Sequence, residues 1–271
     1  IIKFQHHLAN HESSDDETFR YRPEWFQDNE RFDFWARTSF TVQELRDLAD
    51  HTRSKGMKFA CSPFSVKAVD QLAAIVDIWK VPSSEARHRS LMSRIKEHVI
   101  NSENLPYDAV IISTGMSSQD EVAGLRDYWC TKSKWNEGIR DWGWGRSIKF
   151  LQCTSEYPVP ASHSGLVAMQ QFDGLSDHSG KPETGLAAAA LGAEYLEVHV
   201  CWDKRAFGFD SSSSLEVDEF NNMVKGIRWI NKCMRDEEDR DSIVKNIQET
   251  RYRFGRSAYP GVVQKAGEKL N

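Results

Sequence analysis

Short runs of apolar and β-branched residues recur along the chain, and more polar stretches with helical spacing separate them. The runs predict seven strands, at residues 1–5, 58–62, 78–81, 109–113, 148–153, 174–177 and 195–200. Strands that alternate with helices are typical of a parallel sheet built from βα units. We therefore predict a (β/α)8 TIM barrel that lacks one strand, and 271 residues suit a fold of roughly 250.

Helix signals fill the intervals between these runs. Thr41 with Glu44, and Ser118 with Glu121, have the spacing of capping boxes, in which a hydroxyl and a carboxylate satisfy the first amides of a helix. The alanine-rich run 182–192 predicts a helix before the last strand, and apolar residues at helical spacing over 220–230 predict a long helix after it.

Two segments interrupt this rhythm. Residues 9–33 are polar and acidic, and we interpret them as a long loop over one end of the barrel. Residues 132–146 carry three tryptophans among charges and glycines. This insertion is predicted to pack on the barrel exterior; a contact with a partner protein is the alternative.

Charge and hydropathy exclude several classes of protein. The formal net charge is -5, from 35 basic and 40 acidic residues spread along the chain, which argues against nucleic-acid binding. Mean hydropathy is -0.59, and no apolar run has the roughly 18 residues of a membrane span. Five cysteines without a CxxC pair are typical of a reducing compartment, so we predict a cytoplasmic protein.

Polar side chains follow each predicted strand, where the carboxyl ends of parallel strands meet at one edge. Two lysines and a ring of hydroxyls at one edge suit a small dianion such as a phosphate ester. The candidates in strand order are Lys3 and Gln5, Ser62, Lys80 with Ser83 and Glu85, Ser113, Ser155 and Tyr157, Ser176, and Glu197.

Two histidines follow the last two strands, His178 after the sixth and His199 at the end of the seventh. Imidazoles on neighbouring strands can hold a divalent metal that keeps positions open for a carbonyl substrate. Their spacing alone is equally compatible with hydrogen-bonded core histidines.

An ordered series of motifs resembles the sialic acid synthase family, which condenses phosphoenolpyruvate with an N-acylated sugar. The series runs from residue 1 to about residue 257. Its members are Lys3-Phe-Gln5, Phe59-Ala-Cys-Ser-Pro-Phe-Ser65, Trp79-Lys-Val-Pro-Ser-Ser-Glu85, Ile112-Ser-Thr-Gly-Met116, Gln152-Cys-Thr-Ser-Glu-Tyr-Pro158, Gly174-Leu-Ser-Asp-His178, Leu196-Glu-Val-His199 and Phe207-Gly-Phe-Asp210.

The resemblance implies a role for each candidate residue. Phosphoenolpyruvate would be bound by Lys3, Ser62, Lys80, Ser83, Ser113 and Ser176, with Ser155 standing where the family commonly has Asn. A manganese or magnesium ion would be held by His178 and His199. The sugar would contact Gln5, Glu85, Tyr157 and Asp210, and the catalytic roles would fall on Glu85, Lys80, His178 and His199.

The resemblance also implies how the chain is divided. Residues 1–250 would form the barrel domain, whose first family strand has no counterpart here, and residues 251–271 would begin an antifreeze-like carboxyl-terminal domain. A family domain that crosses between subunits favours a homodimer. The expected activity is the transfer that joins phosphoenolpyruvate to an N-acetylated aldose, giving a nonulosonic acid and phosphate.

Two rivals to this interpretation stay open. One keeps the barrel and changes the reaction, to another metal-dependent aldolase or another phosphoenolpyruvate-using sugar-acid synthase. The other is a non-catalytic barrel that binds sugar or an assembly partner. Nothing in the sequence specifies the acceptor sugar.

Overall fold

The computed structural model describes residues 1–14, 16–18, 30–100, 109–130, 148–206, 208–256 and 266. The chain divides into two compact units, Ile1–Arg228 and Trp229–Asn271. Among the described helices, none combines the length and the apolar character needed to cross a membrane. The tryptophan-rich segment 132–146 lies outside the described residues, so its predicted packing stays a prediction.

A seven-stranded parallel sheet organises the first unit. The strands follow one another in chain order from β1 to β7, each hydrogen-bonded to the next. The Nζ atom of Lys3 on β1 lies 2.7 Å from the Oε1 atom of Glu197 on β7, so the sheet curls until its two outermost strands face each other. The strands are β1 (Ile2–His6), β2 (Phe59–Pro63), β3 (Ile78–Val81), β4 (Val110–Ser113), β5 (Ile148–Cys153), β6 (Gly174–Asp177) and β7 (Tyr195–Val198).

Helices occupy the intervals between the strands, as the alternating pattern predicts. Those within the first unit are α1 (Ala9–Glu12), α2 (Arg31–Thr38), α3 (Val42–Ser54), α4 (Val66–Leu72), α5 (Arg89–Ile100), α6 (Gln119–Cys130) and α7 (Pro182–Ala190). The long helix α8 (Val217–Arg235) follows the sheet and runs into the second unit, which also contains α9 (Arg240–Asn246) and α10 (Gln248–Phe254).

Apolar side chains pack on both faces of the curled sheet. The outer face and its helices share a large buried cluster that includes Leu45, Phe59 and Trp129. A smaller cluster of Ala60, Ile78, Ile111 and Leu151, joined by Tyr195, fills the inner face. Burial on both faces explains why these strands read as short continuous apolar runs.

The predicted helix caps are confirmed. The Thr41 hydroxyl accepts a hydrogen bond from the Glu44 amide, and the Glu44 carboxylate accepts one from the Thr41 amide. Ser118 and Glu121 form the same reciprocal pair at the start of α6. Each pair satisfies amides that the first turn of a helix leaves without partners.

Two predicted segments need correction. The seventh run, predicted over residues 195–200, ends at Val198; after His199 the chain forms a separate two-residue strand β8 (Val200–Cys201), paired in parallel with β9 (Leu215–Glu216). The polar segment 9–33 is not entirely loop, because it contains α1 and the start of α2. A buried Ala9 in α1 and aromatic residues in α2 give these helices packing that their acidic composition conceals.

Candidate active site

Three charged side chains meet on the inner face, near the carboxyl ends of their strands. Glu197 on β7 accepts a hydrogen bond from Lys3 on β1 and lies 3.2 Å from the Nζ atom of Lys80 on β3. The Lys80 ammonium also donates to the Ser113 hydroxyl on β4 at 2.9 Å. We call these four residues the mouth cluster.

Further hydroxyl groups extend the mouth cluster. The Ser113 hydroxyl donates to Glu197 at 3.3 Å, and Ser176 on β6, in register with Glu197, is hydrogen-bonded to the same carboxylate. Ser62 on β2 is fully buried, and its hydroxyl has no hydrogen-bond partner in the described part of the protein. A buried donor without a partner is destabilising, unless a ligand supplies an acceptor.

The charged side chains of the mouth cluster shift the pKa of Glu197 and that of Lys80. Burial raises the pKa of Glu197, but Lys3 and Lys80 outweigh this and hold the pKa well below its usual range. Burial lowers the pKa of Lys80, and Glu197 opposes that shift. The arrangement is therefore one carboxylate that lies between two lysine amino groups.

A second group of side chains lies beside the mouth cluster, around Cys153 at the end of β5. The Ser83 hydroxyl donates to the Cys153 sulfur at 3.5 Å and accepts from the Gly115 amide at 3.0 Å. A β-carbon at Gly115 would lie 2.5 Å from the Ser155 Oγ atom and 2.7 Å from the Cys153 sulfur. Glycine is needed there because the backbone approaches these side chains closely.

The two candidate metal ligands are neighbours. The ring centroids of His178 and His199 are 5.2 Å apart, and the ring of Tyr157 lies 4.4 Å from that of His178. The Nδ1 atom of His178 lies 3.3 Å from the Thr154 carbonyl oxygen, a contact that orients the ring. His199 directly follows β7, and its Nδ1 atom is 3.9 Å from Asp210.

Burial sets the protonation of both rings. It lowers the pKa of His178 to about 4 and that of His199 to about 3. Both imidazoles are therefore neutral at pH 7, the form that binds metal ions. Among the described residues, no group of three histidine, cysteine or carboxylate side chains could together hold a metal ion.

A cavity of about 340 Å³ adjoins the histidines and the mouth cluster. Lys3 and Gln5, which the sequence predicts on the same side of β1, both line it, as do His199 and Asp210. Aromatic side chains of α2 line the cavity too. Of the predicted site residues, the cavity is therefore lined by one phosphoenolpyruvate residue (Lys3), one metal residue (His199) and two sugar residues (Gln5 and Asp210).

Two predicted sugar contacts differ in their surroundings. The Glu85 carboxylate pairs with the Nδ1 atom of His88 at 2.9 Å, within its own loop. Tyr157 packs against His178, and burial raises the pKa of its phenol above the ordinary value, so the hydroxyl keeps its proton.

Sequence reasoning missed two features of the site. Glu197 was noted at its strand end, but not as the shared partner of both lysines. His7 was not singled out: it is stacked between Trp35 and Phe64, at centroid distances of 3.7 and 3.9 Å, its Nδ1 atom lies 2.7 Å from Glu12, and it lines the cavity. For Glu197, the available signal in the sequence was its charge at an inward-facing strand position, because a charged residue is seldom buried without a partner.

Comparison with known proteins gives a consistent result. The chain matches the model of the NeuB family over residues 1–239. N,N'-diacetyllegionaminic acid synthase of Campylobacter jejuni is 31% identical over 199 residues, 70% of this chain and 54% of that protein. Pseudaminic acid synthase of the same species is 27% identical over 96% of this chain and 71% of the relative.

A solved structure shares the fold. The N-acetylneuraminic acid synthetase of Leptospira borgpetersenii, solved with citrate, superposes with a TM-score of 0.70 at 23% identity, covering 94% of this chain and 81% of that one. This chain spans little more than half the length of the first relative above, 54%.

Proposed function

The chain belongs to the NeuB family, and from that premise we propose that it condenses phosphoenolpyruvate with an N-acetylated aldose, releasing phosphate and forming a nonulosonic acid. The observation that carries the proposal is the grouping of two lysines, several hydroxyls and two neutral histidines at one end of the sheet, beside a cavity that Lys3 and His199 line. Sialic-type acid synthases among the relatives support this reaction class.

Phosphoenolpyruvate would bind at the mouth cluster. The Lys3 and Lys80 amino groups reach the site from β1 and β3, which β2 separates in the sheet, and their positive charge would offset that of a carboxylate and a phosphate. Hydroxyl groups supply directed donors around them, and the unpartnered Ser62 hydroxyl offers a further one. The remaining contacts proposed for this ligand are Ser83, Ser113, Ser155 and Ser176.

The histidine pair suits a divalent ion, manganese or magnesium. Both rings are neutral, the form in which imidazole binds metal ions, and their centroids are 5.2 Å apart, so the two side chains could share one ion. A bound ion would supply Lewis-acid polarisation of the sugar aldehyde. His178 and His199 would hold it and keep its other positions open to substrate.

The acceptor sugar would occupy the cavity beside the histidines. Asp210 can accept hydrogen bonds from sugar hydroxyls, and Gln5 can both donate and accept, while Tyr157 retains a phenolic hydrogen to donate. These contacts would hold the aldehyde carbon against the enol carbon of phosphoenolpyruvate, so that positioning supplies much of the rate.

The chemistry then needs charge control and a water molecule. As the enol carbon attacks the aldehyde, positive charge develops at the second carbon of phosphoenolpyruvate, and water adds there before phosphate leaves. Lys3 and Lys80 would hold the phosphate and carboxylate in place during these steps. Glu85 would orient or deprotonate the water, a role that requires its carboxylate to exchange His88 for substrate.

A phosphate-release assay tests the proposal. The whole protein is supplied with phosphoenolpyruvate, manganese or magnesium, and a panel of N-acetylmannosamine-type and bacillosamine-derived sugars. We expect release that requires both substrates and stops with a chelator. Release with non-acylated aldoses would favour another phosphoenolpyruvate-using synthase, and sugar binding without any release would favour a non-catalytic barrel.

Several broader features belong to the same proposal. They are a barrel domain over residues 1–250, the start of a carboxyl-terminal domain at residues 251–271, a homodimer and a cytoplasmic location. Sedimentation of the whole protein would test the homodimer: a single species of twice the protomer mass is expected.

A further inference from the structure

Among the described residues, Glu197 is the one carboxylate that is paired with both lysines of the mouth cluster. Its Oε1 atom lies 2.7 Å from the Lys3 Nζ atom, and its Oε2 atom lies 3.2 Å from the Lys80 Nζ atom. Its side chain is 16% exposed. Each carboxylate oxygen thus faces a different ammonium group, and the carboxylate occupies the space between the two lysines.

We propose that Glu197 is a positioning residue of the anion site: its carboxylate holds the Lys3 and Lys80 ammonium groups charged and side by side while the site is empty, and the carboxylate or phosphate of the incoming anion then takes over as their partner. The inference rests on the proposed function, because phosphoenolpyruvate is the anion in question.

The surroundings of Lys80 show why such a partner is needed. Its side chain is 5% exposed, and its ammonium donates to the Val81 carbonyl at 3.1 Å and to the Ser113 hydroxyl at 2.9 Å. Both acceptors are neutral. The ionisable groups facing it are Lys3 from β1, Cys153 from β5, Glu197 from β7, and the His178 and His199 rings that follow β6 and β7.

Glu197 is the one carboxylate paired with Lys80 in the described part of the chain. Without that charge, burial and the neighbouring Lys3 would both disfavour the ammonium form of Lys80. The pKa of Lys80 would fall further, and the lysine would lose its proton as the pH rises.

The substitution Glu197→Gln removes the charge while keeping the shape. It has two opposing effects on anion binding: repulsion between Glu197 and the ligand disappears, but the lysines lose the group that keeps them charged. Because the pKa of Lys80 falls further in the variant, its ammonium loses its proton at a lower pH than in the wild type. Affinity should therefore fall relative to that of the wild type as the pH rises.

Isothermal titration calorimetry of phosphoenolpyruvate with the chelator-treated whole protein, from pH 6 to pH 9, separates these effects. We expect the ratio of Kd for Glu197→Gln to Kd for wild type to rise about tenfold or more across this range. The matched control is Glu194→Gln, since Glu194 is paired with another buried lysine, Lys149, at 3.0 Å just before the same strand begins. Its ratio should stay within about twofold of one.

The outcomes that would overturn the inference differ from the one that would overturn the proposed function. A ratio for Glu197→Gln that is constant with pH shows that Glu197 only shapes the site, and overturns the inference. Should that variant fail to fold, Glu197→Asp decides, because its shorter side chain lengthens the lysine contacts; an increase of about threefold is expected, and a constant ratio overturns the inference. A wild-type protein that binds no phosphoenolpyruvate at any pH overturns the proposed function, and this inference with it.

Discussion

The two ends of the curled sheet each hold lysines paired with carboxylates, and what surrounds the pairs distinguishes them. At the amino ends of the strands, Lys149 lies 3.0 Å from Glu194 and 3.7 Å from Asp173; we call these three residues the base cluster. Glu194 is 49% exposed, whereas Glu197 of the mouth cluster is 16% exposed. Water therefore screens the base cluster far more than the mouth cluster.

The two clusters also differ in the groups that lie next to them. The ammonium of Lys149 lies 5.4 Å from the ring of Tyr195, against the apolar packing of the inner face. The mouth cluster instead borders a cavity, an unpartnered hydroxyl and two neutral imidazoles. A buried lysine with a carboxylate is thus weak evidence for a site, and a carboxylate shared by two lysines beside unsatisfied donors is stronger evidence.

The largest expected effect comes from removing a histidine at the carboxyl ends of the strands. His199→Ala should abolish metal-dependent turnover and reduce bound manganese, measured by phosphate release and elemental analysis. His163→Ala is the matched control, since the His163 side chain is 60% exposed and pairs with Glu156 outside the site; it should retain both properties. Near-normal turnover with metal still bound to His199→Ala would contradict the assignment.

Replacing one lysine at each end compares the clusters directly. Lys80→Met should lower kcat/KM for phosphoenolpyruvate by roughly 100- to 1000-fold, because it removes a buried charge that the ligand would meet. Lys149→Met should leave kcat/KM unchanged and alter the free energy of unfolding by less than about 1 kcal/mol, since its carboxylate partners remain hydrated. Equal losses of activity in both variants would show that the mouth cluster and the base cluster do not differ in function.

Acid should weaken the folded state through the histidines at the carboxyl end. Burial lowers the pKa of His178 to about 4, so below pH 6.5 the unfolded chain binds a proton that the folded chain refuses. This histidine should reduce the free energy of unfolding by about 2 kcal/mol between pH 7 and pH 5. Urea titrations of metal-free protein should show a smaller loss in His178→Gln; an identical loss would exclude this residue as the cause.

The smallest expected effect concerns the unpartnered hydroxyl of Ser62. Ser62→Ala should leave stability unchanged or raise it by about 1 kcal/mol, because a buried donor without a partner is removed. The same change should weaken phosphoenolpyruvate binding about five- to tenfold by deleting a ligand contact. Thermal unfolding and calorimetry measure the two effects. Lower stability with unchanged binding would show that the hydroxyl serves the fold alone.

Much of the sheet could be predicted because the central strands β2, β3, β4 and β6 are buried along their whole length, and β5 along almost all of it. Three of the seven predicted runs, 78–81, 148–153 and 174–177, coincide with strands, and the others differ by one or two residues at an end. The capping boxes could be predicted from the sequence because all their hydrogen bonds form within four residues. Helix α2 could not be predicted from the sequence, because it is stabilised by aromatic contacts with residues distant in the chain, Trp35 with His7 and Phe34 with Phe209.

The candidate site was predictable as a set of strand ends, but not as a network. Parallel strands fix where Lys3, Lys80 and Ser113 emerge, so their proximity follows from the fold. The pairing of both lysines with Glu197 depends on how tightly the sheet curls, which no local pattern encodes. The enclosure of His7 between two aromatic rings likewise joins β1 to residues far along the chain.

The break in the seventh strand at His199 has a consequence for how such a site can diversify. The Leu215 amide donates to the His199 carbonyl at 2.8 Å, and β8 pairs with β9, so the segment that carries Asp210 is closed at its base. Closing a loop fixes its ends and leaves its interior free to change length and composition at little entropic penalty. Under the proposed function, substitutions within this loop would change the surroundings of Asp210, the proposed sugar contact, while the histidine at its base stays in place.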